Sequence, residues 1–579
     1  MAVLSVGTFL RLHDLNWDDG QLLHPDERHV AMVAQERISL PFPNLQDAHL
    51  GDPRLSTLNP RSEDPQTGEA RRFAYGSLPL FLLRIAGRVA AGFWPEADTL
   101  VGLALLGRVL SALFDLGTVV LTFLMGRRLY GVGAGLAASL LVSSTVLHVQ
   151  LSHFYAVDTI LTFFLMAGVY LAITVVDRPS PGRIVLTGLV AGLAISTKVS
   201  AAPVLLPCAL AFLLAERGDG GREAWIEGAA KVLRSLLIAL PVAGAVFFLF
   251  HPYVLLDPAP FLRDIGFESA MVRGQMLLPY TVQYLGTVPV VYQVGTLFFW
   301  GAGPALVTAM IGGLALFAVR LMRGRRPAEW VLAAWLIPYM VITFSFQVKF
   351  QRYMLPVLPG LAVLAAAPLV AAMAQPGGFR RGRAGLARLL LAVVVVGTAL
   401  QTVAFLRIYQ GEHTRVVASR WLYENVPLGA TIATEHWDDR LPLLLPGHPN
   451  PYVDYGEVTL PLYDPDTPAK RRDLARALRR ADYLILASNR LYGSIPKAPQ
   501  LYPMSSAYYG LLFGGGLGFE PVVTFTSYPG IGPFTVADDT ADESFTVYDH
   551  PKVIVFRKTR EMTEQELYDL LPDPTLSWG

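Results

Sequence analysis

Ten stretches of this chain stay apolar for about 20 residues at a time: 101–125, 131–150, 157–177, 184–199, 201–215, 233–252, 293–319, 328–347, 353–374 and 388–408. That length matches the ~30 Å hydrocarbon core of a bilayer when the chain is helical. Only helices or closed barrels satisfy their backbone polar groups inside lipid. Ten runs of helix-spanning length make the predicted class a mainly α, polytopic membrane protein. Composition agrees, with 53% hydrophobic and only 16% charged residues, where a soluble domain carries about 25% charged. Met1 to Leu10 is apolar too, but ten helical residues rise only ~15 Å. It is expected to be a first membrane helix cut short, or one whose start is assigned too late, for about eleven helices in all. It has no basic leader, so no signal peptide is expected.

Residues 75–94 form one more apolar segment, but Arg84 and Arg88 fall within it. Charge at the centre of a lipid-facing span is costly, so this segment is predicted to lie in the membrane interface. Short cytoplasmic loops collect Lys and Arg. With the N-terminus inside, the inner loops hold Arg127–Arg128, Arg178 with Arg183, Arg217 through Arg234, Arg320 through Arg326, and Arg380 through Arg388. The outer side then receives Asp26 and Glu27, His153 and Asp158, Lys198, the stretch from His251 to Tyr292, and Lys349 with Arg352. The expected domains are a membrane domain over 1–408, with a first outer loop at 11–100, and an outer domain over 409–579. In the latter "VVASRWLYENV" and "PAKRRDLARALRR" read as helices, and "ATIATE", "DYLILAS", "PVVTFTS" and "KVIVFRK" as strands, giving a small α/β domain.

The chemistry-bearing residues concentrate on that outer side. "LLHPDERHV" sets Asp26 and Glu27 just after Pro25, between His24 and His29. Acids in the first turn suit a helix dipole, and a partly desolvated carboxylate can also act as a general base. His24, Asp26 and His29 do not share one helical face, so no metal ligand is assigned; a divalent metal is possible without being favoured. Asp158 in "LSHFYAVDTIL" can cap a span, and it has His153 for company. Lys198 sits at the tip of a helical hairpin. Lys349, Arg352 and Tyr353 lie between two spans, where anchoring is the plain reading. An arginine and a lysine can also hold a phosphate. Arg108 and Asp115, seven apart on one span, share a face, either as helix–helix glue or as a site.

Other signals exclude or add little. Net charge is +1, so no attraction to nucleic acid follows. Cys208 stands alone in an apolar run, so no intrachain disulfide can form and it reads as a small buried hydrophobe. The glycines of "LLFGGGLGFE" lack the strand–turn–helix setting of a nucleotide loop. "HWDD" (His436, Trp437, Asp438, Asp439) invites a site, but turn chemistry explains its aspartates as well.

In order along 1–408, "HPDE", "YGSLPLFLL", "GRVLSALFDLGTVVLTFLMGRRLYG", "HVQLSHFYAVDTILTFF", "GLAISTKVSA" and "QRYMLPVLPGL" resemble the motifs of polytopic glycosyltransferases of the GT-C fold. The likeness is to glycosyltransferase family 39, which includes the protein O-mannosyltransferases and the aminoarabinose transferase of lipid A. Where that family has lysine before Pro-Pro, this chain has Tyr75, Gly76 and Ser77 ahead of Leu78 and Pro79. The resemblance implies a sugar donor linked by phosphate to a polyprenyl lipid in the membrane, no nucleotide, and an acceptor that is a glycan, a lipid or a protein. It implies Asp26 as the base, Glu27 and Asp158 orienting donor or acceptor, and Lys198, Arg352 and, less directly, Lys349 on the phosphate. His24, His153, Tyr353 and Arg108 would support them. Two other classes stay open: a transporter or flippase of a lipid-linked substrate, which calls for polar groups at mid-membrane, and a non-enzymatic surface protein that binds a glycan or partner.

Overall fold

The computed structural model describes residues 1–38, 49–64, 67–215, 222–324, 326–374 and 380–573. Arg217 and Arg325, in the arginine-rich loops expected inside, lie outside the described residues. The chain divides into two compact units: Met1–Leu15, His24–Ala270 and Pro289–Val403 make the first, and Asn16–Leu23, Met271–Val288 and Ala404–Gly579 the second.

The first unit is helical. Its elements are α1 (Ala2–Leu12), α2 (Pro25–Arg37), α3 (Ser77–Ala90), α4 (Leu100–Tyr130), α5 (Val132–Ser143), α6 (Val146–Ser152), α7 (Asp158–Asp177), α8 (Pro181–Thr197), α9 (Leu205–Ala215), α10 (Arg222–Phe250), the single turn α11 (Tyr253–Leu256), α12 (Pro258–Val272), α13 (Val291–Thr296), α14 (Pro304–Met322), α15 (Pro327–Ser345), α16 (Leu358–Met373) and α17 (Arg380–Gln410). Among the described residues seven helices are long and apolar enough to cross a membrane, or eight with the bent pair α5 and α6 counted as one span; α1, α8 and the Val199–Ala215 segment are apolar but shorter. Local chemistry sets the ends. Pro25 opens α2 behind His24, whose Nδ1 accepts from the Glu27 N–H at 3.3 Å. Thr99 caps α4 through the Gly102 N–H, and Gly131, at φ 97°, closes it.

The segment expected to lie in the interface contains α3, 14 residues long, and both of its arginines are paired. Arg84 donates to the Ile38 carbonyl at 2.7 Å and to Asp98, and Arg88 meets Asp98 at 3.0 Å. The α5–α6 bend of 56° frees backbone carbonyls inside the helical bundle. Arg11 donates to the Ser143 carbonyl at 2.8 Å and the Val142 carbonyl at 3.3 Å, and Thr402 donates to the Ser144 carbonyl at 2.6 Å. Asp115 balances the Arg11 charge at 2.7 Å, and the His148 ring meets its other oxygen at 2.7 Å. These side chains partner carbonyls that the bend takes out of the helix ladder, the kind of compensation a broken helix needs inside a bundle. Arg108 and Asp115 therefore serve different partners, and Asp115 is bound into a buried cluster.

The second unit is an α/β layer structure. Its helices include α18 (Thr414–Asn425), α19 (Pro451–Asp454), α20 (Pro468–Arg480) and α21 (Pro503–Phe513); its strands are β1 (Thr431–Glu435), β2 (Gly456–Leu460), β3 (Tyr483–Leu486), β4 (Phe519–Phe525), β5 (Gly530–Ile531), β6 (Phe534–Thr535) and β7 (Val553–Lys558). The main sheet runs β2-β1-β3-β7-β4, with β5–β6 a separate hairpin. β1 pairs parallel with β2 and β3, and β7 antiparallel with β3 and β4. Strand alternation feeds two cores: Leu484 and Leu486 pack with Leu474, Leu478 and Tyr508, while Tyr483 and Ile485 pack with Ala418 and Leu422. The "HWDD" aspartates are held by α18, with Arg415 meeting Asp438 at 2.8 Å and Asp439 at 2.7 Å.

Candidate active site

At one end of the helical bundle, α2, the start of α7, the tip after α8 and the turn before α16 bring four charged residues together. Asp26 is in the first turn of α2, Asp158 opens α7, Lys198 ends α8, and Arg352 lies in the 3-10 turn Gln351–Val357. Arg352 Nη1 donates to Asp26 Oδ2. Lys198 Nζ stands 3.9 Å from Asp158 Oδ1 and 5.4 Å from the centre of the Tyr353 ring, a cation–π contact. The Tyr353 carbonyl accepts from the Tyr339 hydroxyl at 3.1 Å. Asp26 and Arg352 keep side-chain exposures of 25% and 17%, so water or a ligand reaches them.

The adjacent acid has a different setting. Glu27 is fully buried. It accepts from Arg108 at 2.6 and 3.0 Å and from the Tyr155 N–H at 2.9 Å, and Arg108 also donates to the Leu15 carbonyl at 2.6 Å. One helical turn thus carries a sealed carboxylate beside an open one. Glu27 acts through position: it locks α2 against α4 and the chain before α7, fixing where Asp26 points. The His24 ring caps α2 and packs on Phe154 with centroids 4.6 Å apart. His153 ties the end of α6 to α1, its ring nitrogens facing the Val149 and His13 carbonyls at 2.8 and 2.9 Å. Lys349 is buried, donates to the Gln347 carbonyl at 2.9 Å, and burial lowers its pKa.

Two residues of this group escape a sequence reading. Tyr75 is buried close to Asp26, and its hydroxyl helps to hold the Asp26 carboxylate ionised. Its neighbour Gly76 explains how: the Gly76 N–H donates to the Thr197 carbonyl at 3.0 Å, and a Cβ there would come within 1.9 Å of the Ser196 carbonyl oxygen. Only glycine lets the loop press against the end of α8, beside Lys198. Glu268, half-buried on α12, feels the charges of Lys198, Arg352 and Asp26. Asp264, one turn earlier, anchors α12 by accepting from Arg61 at 2.8 Å and the Phe73 N–H at 3.0 Å.

Electrostatics separate the two open carboxyls. Burial pushes Asp26 up, but the charges of Arg352 and His24, the hydrogen bond from Arg352 and the nearby Tyr75 hydroxyl outweigh it and hold the group well below the usual range. For Glu268 burial wins over the two cations and raises its pKa. Carboxyls pushed apart in this way can divide proton-accepting and hydrogen-bonding roles. Among the described residues no group of three or more His, Cys, Asp or Glu is placed to hold a metal ion.

Comparison with known proteins adds a family segment and a fold. Residues 103–252 match the model of the dolichyl-phosphate-mannose-protein mannosyltransferase family. No curated protein matches the chain. Among solved structures, the oligosaccharyltransferase AglB of Archaeoglobus fulgidus, in complex with an inhibitory peptide and a dolichol-phosphate, superposes with a TM-score of 0.52 at 12% identity, over 88% of this chain and 72% of that one. ArnT from Cupriavidus metallidurans, bound to undecaprenyl phosphate, gives 0.49 at 14% identity over 96% and 97%. The chain is a polytopic membrane protein of the GT-C fold, the fold of membrane glycosyltransferases, and within that fold it resembles glycosyltransferase family 39.

Proposed function

We propose that this chain is an inverting glycosyltransferase. It moves a sugar from a polyprenyl-phosphate donor to an acceptor hydroxyl of a glycan, lipid or protein, at the outer face of the cell membrane. One observation carries the reading: a partly open carboxylate, Asp26, faces a partly open guanidinium, Arg352, at the end of a bundle of membrane helices. The Asp158–Lys198 pair at that same end adds a second acid and a second cation. The lipid-phosphate complexes of the two structures above support the donor class. The run of arginines through the opposite loops supports the outer placement of the site and of the α/β unit.

In this reading the donor tail lies among the helices and its phosphate meets Arg352 and Lys198, with Lys349 a lesser contributor. Glycosyl transfer passes through an oxocarbenium-like state in which the bond from the anomeric carbon to the phosphate oxygen lengthens. The cations stabilise the negative charge that gathers on the leaving phosphate. Asp26 takes the proton of the acceptor hydroxyl as its oxygen attacks from the opposite face, and a single displacement inverts the anomeric carbon. Asp158 and Tyr353 hold Lys198 in place, while Glu27 and Arg108 hold α2. Purified protein given a radiolabelled polyprenyl-phosphate sugar and an acceptor extract tests this. Asp26→Asn should abolish transfer and leave a folded, membrane-inserted protein; transfer at the normal rate would refute the assignment. A flippase would instead move labelled lipid across vesicles without changing it chemically.

A further inference from the structure

The two acids of the Pro-Asp-Glu turn each have an arginine, yet the two pairs differ in kind. Glu27 and Arg108 are 0% and 1% exposed and knit into neighbouring backbone. Asp26 and Arg352 are 25% and 17% exposed and join side chain to side chain across 326 residues of sequence. The first pair is built to stay closed. The second is open to an incoming anion, and its cation is the group assigned to the donor phosphate.

We infer that Asp26 and the lipid phosphate compete for Arg352, so that binding of the donor unmasks the base. The inference rests on the reading of Asp26 as base and Arg352 as phosphate ligand. A guanidinium can turn the same donors from a carboxylate to a phosphate, which also accepts bidentately. The exchange has a chemical consequence. Asp26 paired with Arg352 is a weak base, because the ion pair favours its ionised form. Once the phosphate draws Arg352 away, Asp26 keeps Tyr75 but loses its strongest counter-charge, and its proton affinity rises. The site therefore becomes competent to deprotonate an acceptor only with a donor in place. Lys198 stands ready in the same manner, 3.9 Å from Asp158. After transfer, loss of the proton from Asp26 to water lets the carboxylate recapture Arg352 and helps expel the polyprenyl phosphate.

The test is a binding measurement on the full chain in detergent, with a polyprenyl monophosphate as the probe and no sugar or acceptor present. Asp26→Asn should bind the probe about tenfold more tightly than the unaltered protein, equivalent to ~1.4 kcal/mol, and Arg352→Gln more weakly. The double variant D26N/R352Q should bind like Arg352→Gln alone, because without Arg352 there is nothing to release. Affinity unchanged or weakened in Asp26→Asn would overturn the inference. So would a gain that persists in the Arg352→Gln background, since it would report plain repulsion between carboxylate and phosphate. Asp26→Ser replaces Asp26→Asn should the latter fail to fold. Binding and transfer are read separately: tighter binding with undiminished transfer would uphold the competition while removing Asp26 as base.

Discussion

Removing the Glu27 carboxylate is expected to cost this protein far more than a surface acid would. Arg108 and Glu27 are 1% and 0% exposed, and Glu27 also accepts the Tyr155 N–H. Glu27→Ala leaves a guanidinium and a backbone N–H buried without their shared acceptor. Breaking one side of a buried ion pair costs about 3–5 kcal/mol, because the surviving charge is left uncompensated. Glu27→Gln keeps the shape and one acceptor oxygen but loses the charge, so about 1.5–3 kcal/mol is expected. Thermal denaturation in detergent, followed by tryptophan fluorescence, should rank unaltered protein above Glu27→Gln and Glu27→Gln above Glu27→Ala. Adding Arg108→Met to Glu27→Ala should restore stability, since the stranded charge is then gone. If the double variant is merely the sum of two small losses, each under about 1 kcal/mol, the pair is not the lock described above.

Gly76→Ala should lower transfer at least tenfold with the helical circular dichroism intact, because its Cβ would strike the Ser196 carbonyl at 1.9 Å and push Tyr75 from Asp26. In the α/β unit His550 lies between Asp538 at 2.9 Å and Asp549 at 2.5 Å; burial alone would lower its pKa, but the two carboxylates raise it to about 10. Its charge therefore contributes stability that is full below the ordinary histidine pKa of ~6.5 and fades as pH rises through about 10; His550→Gln should erase that alkaline sensitivity in melting curves. His251 has the opposite sign. Burial lowers it to about 4, and its Nε2 accepts the Ser77 N–H at 3.0 Å, so its contribution holds above pH ~6.5 and is lost as pH falls through about 4. His251→Gln should flatten the acid side of the melting profile. Arg11→Met should leave Asp115 with His148 as its remaining partner and uncap the α5–α6 bend, lowering stability by about 3–5 kcal/mol, with Arg11→Met/Asp115→Asn recovering part of it.

Much of this architecture is legible in the sequence because it obeys strong physical rules. Helix-length apolar runs announce a polytopic helical bundle, although seven or eight helices among the described residues are long and apolar enough to cross a membrane, against about eleven expected; charges at the ends of the runs are few enough that Asp26, Asp158, Lys198 and Arg352 stand out. The α18, β1, α20, β3, β4 and β7 elements follow from periodicity and turn residues. What stays hidden depends on long-range pairing. Glu268 sits in "RDIGFESAMV" like any acid on an amphipathic helix, and only folding carries it to Lys198 and Arg352. Tyr75 looks like a departure from a family motif until Gly76 lets it reach Asp26. Arg11, at the end of a short apolar segment, carries no signal in sequence, yet it is buried against Asp115 and a broken helix. Arg108 and Asp115 share a helix face but not a partner, because spacing shows where side chains start and not what they meet. β2 gives no clear pattern in sequence, because it opens on Gly456 and only Val458 and Leu460 of its five residues are buried. The second unit also recruits Asn16–Leu23 and Met271–Val288, which no local pattern signals.

The most direct test of the central claim is an experimental structure of the protein with a polyprenyl phosphate bound. The account expects the phosphate between Lys198 and Arg352, Arg352 turned from Asp26 toward it, and the Asp26 carboxylate facing the phosphate across a space open to water. A phosphate seated elsewhere, or seated there with the Asp26–Arg352 pair still intact, would contradict it.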